Sequence, residues 1–483
     1  MKVLENCEPK RVFHYFEEIC AIPHGSGNTR QLSDYLVSFA KAHNLEYMQD
    51  ELNNVVIYKP AAPGYENAPT VIIQGHMDMV CEKRPDVDHD FTKDGLKLSV
   101  KDGYISANGT TLGGDDGIAV AYGLALLEST ELKHPALEIL ITVDEEIGLL
   151  GATGFDCSVL KGKRLINLDS EEEGSLWVSC AGGLTAISHI PVQRVEAEGE
   201  KISVKIHGLA GGHSGAEIDK IRANANLLMG RFLYGLKKQA YYELLSLEGG
   251  QRDNVITKES LAQLLVSKEE TEAVKAYALT VQAQLREEYT GTDENITITV
   301  TDEGSAKEAV LHPTSREKVL FYLHQIPFGI QKMSGSIEGL VETSTNLGCL
   351  KLSEDELFAS SGVRSSVDAA KIALSDKIEH LTEFLGGEYE IQGGYPAWEY
   401  RRESPLRDRM VEIYKEMYGS MPEVVAIHAG LECGLFYKKI EDLDCVSLGP
   451  NMKDIHTSDE VLEIASVERV WNYLVKTLES LKD

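Results

Sequence analysis

Four apolar runs that read as β-strands each stop at a carboxylate or a histidine. VIIQGHMDMV brings His76 and Asp78 to the end of one, and LEILITVDEE brings Glu145 and Glu146 to the end of another. LINLDS places Asp169 after a third, and CVSLGPNMKDIHTSDE places His456 a short loop beyond the last. In an open α/β sheet, ligands bind in the crevice outside the carboxyl ends of the strands, so separate strands can deliver these side chains to one place. A fifth cluster, in TLGGDDGIAVAYG, sets Asp115 and Asp116 at the start of a helical pattern, where the helix dipole favours an ionised carboxylate. A single strand-end acid is ordinarily a solvated cap. Its repetition, in order, confines the chain to a fold that gathers strand ends.

The surrounding periodicities agree. Up to about residue 180, strand-like VVIY (55–58), VII (71–73), LEILITV (137–143) and RLINL (164–168) alternate with helical patterns such as Leu32, Tyr35, Leu36 and Phe39, and Ile118 to Leu127. That alternation predicts an α/β sheet with helices on both faces. Past CAGGLTAISH the pattern changes. KISVKIHGL (201–209) alternates like a half-exposed antiparallel strand, and a helix is expected with Ile218, Ile221, Ala225, Leu228 and Phe232 on one face. Two further series of strands and helices fill the stretch to residue 392, each long enough for one α+β layer. Residues 184–392 are therefore expected to form an inserted lid domain, whose two series suggest two related halves. Gly393, Gly394 and Pro396 predict the return to a discontinuous first domain, 1–183 plus 393–483.

Composition removes several classes of function. With 483 residues, 43% hydrophobic and 26% charged, the chain suits a soluble globular protein of several structural units. Its 77 acidic against 47 basic residues give a formal charge of −30, a surface that repels polynucleotides and anionic lipid. Neither nucleic acid nor membrane is an expected partner. The start, MKVLENCEPKRVFHYFEEIC, has no apolar run of signal-peptide length, and eight cysteines lie without any C-x-x-C pair. A cytoplasmic protein with reduced cysteines is expected.

Two imidazoles and three or more carboxylates, without thiolates, form a borderline-to-hard ligand set suited to Zn²⁺, with Mn²⁺ or Co²⁺ as substitutes. Two ions roughly 3.5–4 Å apart, sharing a carboxylate and a water, would use about this many ligands. Neighbours at a strand end point different ways, so one of Glu145 and Glu146 can ligate while the other faces the water.

The strings GHMDMVCEK, TLGGDDGIAVAYG, DEEIGLLGA, NLDSEEEG, GGHSG and HAGLECG follow one another over essentially the whole chain. The ordered set resembles the dinuclear zinc exopeptidases, the family of carboxypeptidase G-type enzymes, aminoacylases and dipeptidases, and within it the bacterial aminoacyl-histidine (Xaa-His) dipeptidase branch. The resemblance implies an α/β, mixed-sheet catalytic domain with an inserted α+β lid domain. It implies two Zn²⁺ and hydrolysis of small dipeptides, Xaa-His dipeptides including β-alanyl-histidine among a broad range. By position, His76 and Asp169 would hold one zinc, Glu146 and His456 the second, and Asp115 would bridge both, with a cis peptide between Asp115 and Asp116. Asp78 would orient the His76 ring, and Glu145 would be the general base. His213, in AGGHSGAEI, would stabilise the oxyanion. Arg364, in ASSGVRSS, would grip the substrate carboxylate, and Asn254, in GGQRDNVIT, would be a further substrate contact. A carboxypeptidase or N-acyl amino acid deacylase with the same metal chemistry is the alternative among enzymes. A catalytically dead metal-binding regulatory module is the alternative of another class, against which stands the retention of Glu145 with every ligand position. The resemblance leaves open whether the lid histidine acts within one chain or across a homodimer.

Overall fold

Strands Val71–His76 and Leu137–Thr142 are buried at every position, which requires cover on both faces of their sheet. In the computed structural model, which describes residues 2–482, they sit at the centre of an eight-stranded sheet. Val71–His76 runs parallel to Leu137–Thr142 and to Arg164–Asn167, and Asp444–Ser447 is parallel to Arg164–Asn167. Antiparallel Glu46–Gln49 and Val55–Lys59 lie beyond Leu137–Thr142, so the sheet is mixed. The register pairs His76 with Thr142 and Gln74 with Asn167. Residues following these three parallel strands therefore emerge at one edge.

Helix Gly114–Glu128 is buried from Gly114 to Leu127, as an apolar helix without a polar face must be. It packs close because Gly75 has no side chain: a Cβ there would lie 2.4 Å from Asp116 Oδ2 and 2.5 Å from the Ala119 Cβ. At its far end the Lys59 ammonium donates to the Leu126 and Leu127 carbonyls, a cation on the negative end of the dipole. A smaller four-stranded sheet of Leu98–Lys101, Tyr104–Ala107, Met452–Lys453 and Val461–Glu463 was not anticipated from the sequence. His456 lies between its last two strands in chain order.

Two compact units emerge. The first comprises Met1–Cys180, Tyr400–Ala426 and Leu431–Asp483, and the second comprises Ala181–Glu399 with Ile427–Gly430. Each has its own apolar cluster. The second unit is built on a nine-stranded antiparallel sheet. Near its middle, Tyr242–Gly249 and Val341–Leu352 pair only through Glu248 with Lys351 and Gly249 with Leu350. Side chains continue the seam: Asn224 donates to Asn346 Oδ1 and the Leu347 carbonyl, and Asn226 donates to the Gly249 carbonyl.

Two local expectations fail in this unit. The helix starts at Ala225, because Asn224 caps it by accepting from the Asn226 and Leu227 N–H groups. Ile218–Lys220 is a single 3₁₀ turn, and Ile221 is 69% exposed with φ of 51°, so neither isoleucine belongs to the helical face. Strand Glu388–Tyr395 continues through Gly393 and Gly394 with a bulge between Gln392 and Tyr395, where Gly393 takes a φ of 58°, and the unit continues to Glu399. Among the described residues all eight cysteines are free, and no helix is long and apolar enough to cross a membrane.

Candidate active site

His76 ends its strand and is 1% exposed. Its Nδ1 lies 3.0 Å from the Asp78 carbonyl oxygen, an acceptor, so this nitrogen carries the proton. Nε2 is left facing Asp115 Oδ1 at 3.1 Å and Asp169 Oδ1 at 3.6 Å. Asp115 turns its other oxygen to His456 Nε2 at 3.2 Å, and Glu146 Oε1 lies 2.8 Å from the same nitrogen. Asp115 thus stands between the two imidazoles with one oxygen toward each. The Asp115–Asp116 peptide is cis.

The Asp78 carboxylate is 3.5 Å from His76 Nδ1, farther than the Asp78 carbonyl. It is engaged elsewhere, accepting from Ser26 Oγ at 2.8 Å, the Glu145 N–H at 3.0 Å and the Glu146 N–H at 3.4 Å. The main chain of Asp78 orients the imidazole while its side chain fixes the turn that carries the two glutamates. Asp116, grouped with Asp115 in the sequence but given no role there, is fully buried and accepts from the His76 N–H at 3.2 Å. Ligand atoms within 4.8 Å of one another form three groups: His76, Asp116 and Asp169; His76, Glu145 and Glu146; Asp115, Glu146 and His456.

Acids outnumber imidazoles here, with His76 and Asp116 buried and His456 exposed, and the ionisation follows. Burial raises the Asp169 carboxyl to about 7, against the pull of His76. Burial also pushes the Glu145 carboxyl well above the usual range, again opposed by His76. Hydrogen bonds to Asp115 and Glu146 push His456 up to about 10. Excess carboxylate, two imidazoles and no thiolate fit divalent cations of the zinc, manganese or cobalt kind.

The second unit positions the remaining expected residues. His213 lies in the short strand Gly212–His213, paired with Val255 next to Asn254. Its Nδ1 accepts from the Gly215 and Ala216 N–H groups at 3.2 and 3.0 Å, so Nε2 carries the proton and His213 is a donor. Asn346 Nδ2 donates to the Asp253 and Val255 carbonyls, both at 2.9 Å, clamping the chain on either side of Asn254. Arg364 lies on strand Glu356–Ser365.

Several supporting residues escaped the sequence reading. Glu432, fully buried, accepts from Gln74 Nε2 at 2.6 Å and Thr142 Oγ1 at 2.7 Å, and Gln74 Oε1 accepts from Asn167 Nδ2 at 2.6 Å. Gln74 and Asn167 stand two residues before His76 and Asp169, and positions two apart share one face of a strand. A polar residue inside an apolar strand at that offset was the available signal. Glu460, 3% exposed, accepts the N–H groups of Leu112, Gly113 and Gly114 at 2.8, 3.2 and 2.8 Å. It holds the segment that leads into Asp115. Glu460→Gln turns an amide N–H toward one of those donors and is expected to weaken divalent-metal binding about 10–100-fold, measured by calorimetric titration of metal-free protein. Unchanged affinity would mean that the Asp115 segment holds its place without this clamp.

Residues 72–480 match Peptidase family M20/M25/M40. Over 483 residues the chain is 35% identical to the cytosol non-specific dipeptidase of Escherichia coli strain K12, a match covering 100% of this chain and 99% of the relative. The crystal structure of aminoacylhistidine dipeptidase from Vibrio alginolyticus superposes with a TM-score of 0.93 at 34% identity, covering 99% of this chain and 98% of that one. Aminopeptidase PepT from Bacillus cereus ATCC 10987 shares the fold at a TM-score of 0.57 and 16% identity, covering 99% and 100% of the two chains.

Proposed function

The chain belongs to peptidase family M20/M25/M40, and on that premise we propose that it is a metal-dependent dipeptidase that cleaves the peptide bond of small dipeptides, Xaa-His dipeptides among them. The observation that carries the reading is Asp115 set between His76 and His456, with the Glu145–Glu146 turn pinned beside them by Asp78. The two full-length relatives at 34–35% identity are both named as dipeptidases, one non-specific and one for aminoacylhistidine.

His76 with Asp169 would hold one divalent ion and Glu146 with His456 the other, Asp115 serving both; Zn²⁺ is the proposed occupant. When bound, such ions supply Lewis-acid activation of water and of the scissile carbonyl. Glu145 takes a proton from the attacking water as its oxygen bonds to the carbonyl carbon, and returns that proton to the amide nitrogen as the C–N bond breaks. His213 donates from Nε2 to the developing oxyanion, the only protonation its Nδ1 contacts allow. Arg364 receives the substrate's terminal carboxylate, and Asn254 supplies a further polar contact. A cytoplasmic location and a homodimeric state are proposed with this activity.

The test is a hydrolysis panel on metal-loaded protein: β-alanyl-histidine, alanyl-histidine, a dipeptide without histidine, a tripeptide and an N-acetyl amino acid, each with and without chelator. Chelator-sensitive cleavage confined to the dipeptides is the expected result. Preferential cleavage of the tripeptide or the acetyl substrate would move the protein to the carboxypeptidase or deacylase alternative, and no cleavage would sink the enzymatic reading.

A further inference from the structure

Arg364, Gly183 and Tyr395 form one row across three neighbouring strands of the second unit. Gly183 lies in the middle strand, Gly182–Pro191, with Arg364 its partner on one side and Tyr395 its partner on the other. Two side chains in such a row would ordinarily be separated by the side chain between them. Here the position between them is glycine, and the Tyr395 side chain crosses above it. An added Cβ at Gly183 would lie 2.6 Å from the Tyr395 hydroxyl and 2.7 Å from Cζ. The far edge of the ring is walled by another glycine, since a Cβ at Gly430 would lie 2.6 Å from Cε2. At the end of this slot the Arg364 Nη1–H donates to the Tyr395 hydroxyl at 2.7 Å.

The backbone of Tyr395 is fixed independently of its phenol. Its carbonyl accepts from the Lys371 ammonium at 2.6 Å, and Lys371, 5% exposed, pairs with Asp368 at 2.8 Å. Arg364 makes no ion pair with a carboxylate of its own unit among the described residues, and its Nε is buried without a partner. A guanidinium steered by a neutral phenol keeps its whole charge for an anion that arrives from outside, whereas one steered by an aspartate would not.

We infer that Tyr395 is the positioning residue for Arg364: the phenol, slotted over Gly183, holds the guanidinium in the orientation that receives the substrate's terminal carboxylate. The inference rests on the role proposed above for Arg364. Fixing a flexible side chain before the ligand arrives lowers the cost of binding, so its loss falls on KM and leaves the bond-breaking step alone.

The test is a cycle of Tyr395→Phe, Arg364→Gln and the double variant on metal-loaded protein, with Gly183→Ala as an independent way to evict the phenol. Tyr395→Phe keeps the ring and the Lys371 contact. It is expected to raise KM for a dipeptide about 10-fold with kcat within about twofold and an unchanged unfolding temperature. Gly183→Ala is expected to reproduce that KM rise, and the double variant to behave as Arg364→Gln alone, because Tyr395 acts only through Arg364. An unchanged KM in Tyr395→Phe, a fall confined to kcat, or additive effects in the double variant would overturn the inference while leaving Arg364 in its role. An Arg364→Gln variant with normal KM would instead remove the Arg364 role, and the inference with it.

Discussion

Glu145→Gln is expected to lose about 10²–10⁴-fold in kcat while retaining its divalent metal and its stability. The substitution keeps the size of the side chain and leaves the Glu145 N–H to Asp78 Oδ1 in place, so the turn should not move. What it removes is the capacity to take a proton. Burial among Asp169, Glu432 and Glu146 raises the Glu145 carboxyl above its ordinary range, a bias that favours carrying a proton between attack and departure once nearby positive charge has drawn it back toward neutrality. Metal content and kcat measured on one preparation separate the assignments of the two adjacent glutamates. Near-normal turnover would mean that another group is the base. Loss of metal would mean that Glu145, and not Glu146, is a ligand.

Removing metal should have the second large effect, this time on stability. In the metal-free protein the carboxylates face His76 and His456, both of which the surrounding acids hold toward the protonated form: burial alone would lower His76, but Asp169, Asp115 and Asp78 overcome it. At about 100 times Kd, each bound ion adds about 2.7 kcal/mol, and two ions about twice that. At about 2–4 °C per kcal/mol for a mid-sized domain, the unfolding temperature should rise by about 10 °C or more on adding Zn²⁺ to chelated protein. Asp115→Ala should abolish most of that gain, because the one carboxylate serves both imidazoles. The pH dependence has a definite sign. A ligating imidazole must be neutral, and His456 titrates at about 10 in the metal-free state, so binding releases protons and apparent affinity rises from about pH 6 to about pH 8. Affinity that fell over that range, or a thermal shift that survived Asp115→Ala, would contradict this account of the site.

The strand-end pattern made His76, Glu145, Glu146 and Asp169 legible because an apolar buried strand that stops at a carboxylate or a histidine marks where polar side chains leave the core at the sheet's carboxyl edge. Asp115 was legible for a related reason, since a carboxylate is at ease in the first turn of an apolar helix. What supports these residues was not. Glu460 reads as one more acid in a polar loop until its three N–H donors are seen, because hydrogen bonds to a backbone nearly 350 residues away leave no local trace. The Gln74–Asn167–Glu432 network was half legible, through the two-residue offset within strands, but its third member comes from a distant helix start. Ile221 misled because its spacing continues a helical face that Asn224 cuts off. The paired glycines at 393 and 394 misled because they lie on an exposed strand, where their lack of side chains costs little.

The two apolar clusters share no residue, one drawing on residues between Leu4 and Leu481 outside the insertion and the other on residues between Leu184 and Leu385. Every residue assigned to breaking the bond except the oxyanion donor stands on the first, and every residue assigned to choosing the substrate stands on the second. Substitutions that reshape the choice are thus tolerated or rejected by a packing problem in which the residues proposed to hold metal take no part. A lineage carrying such a chain can drift from one small peptide to another, or from peptides to acylated amino acids, without ever passing through a form that has lost its chemistry.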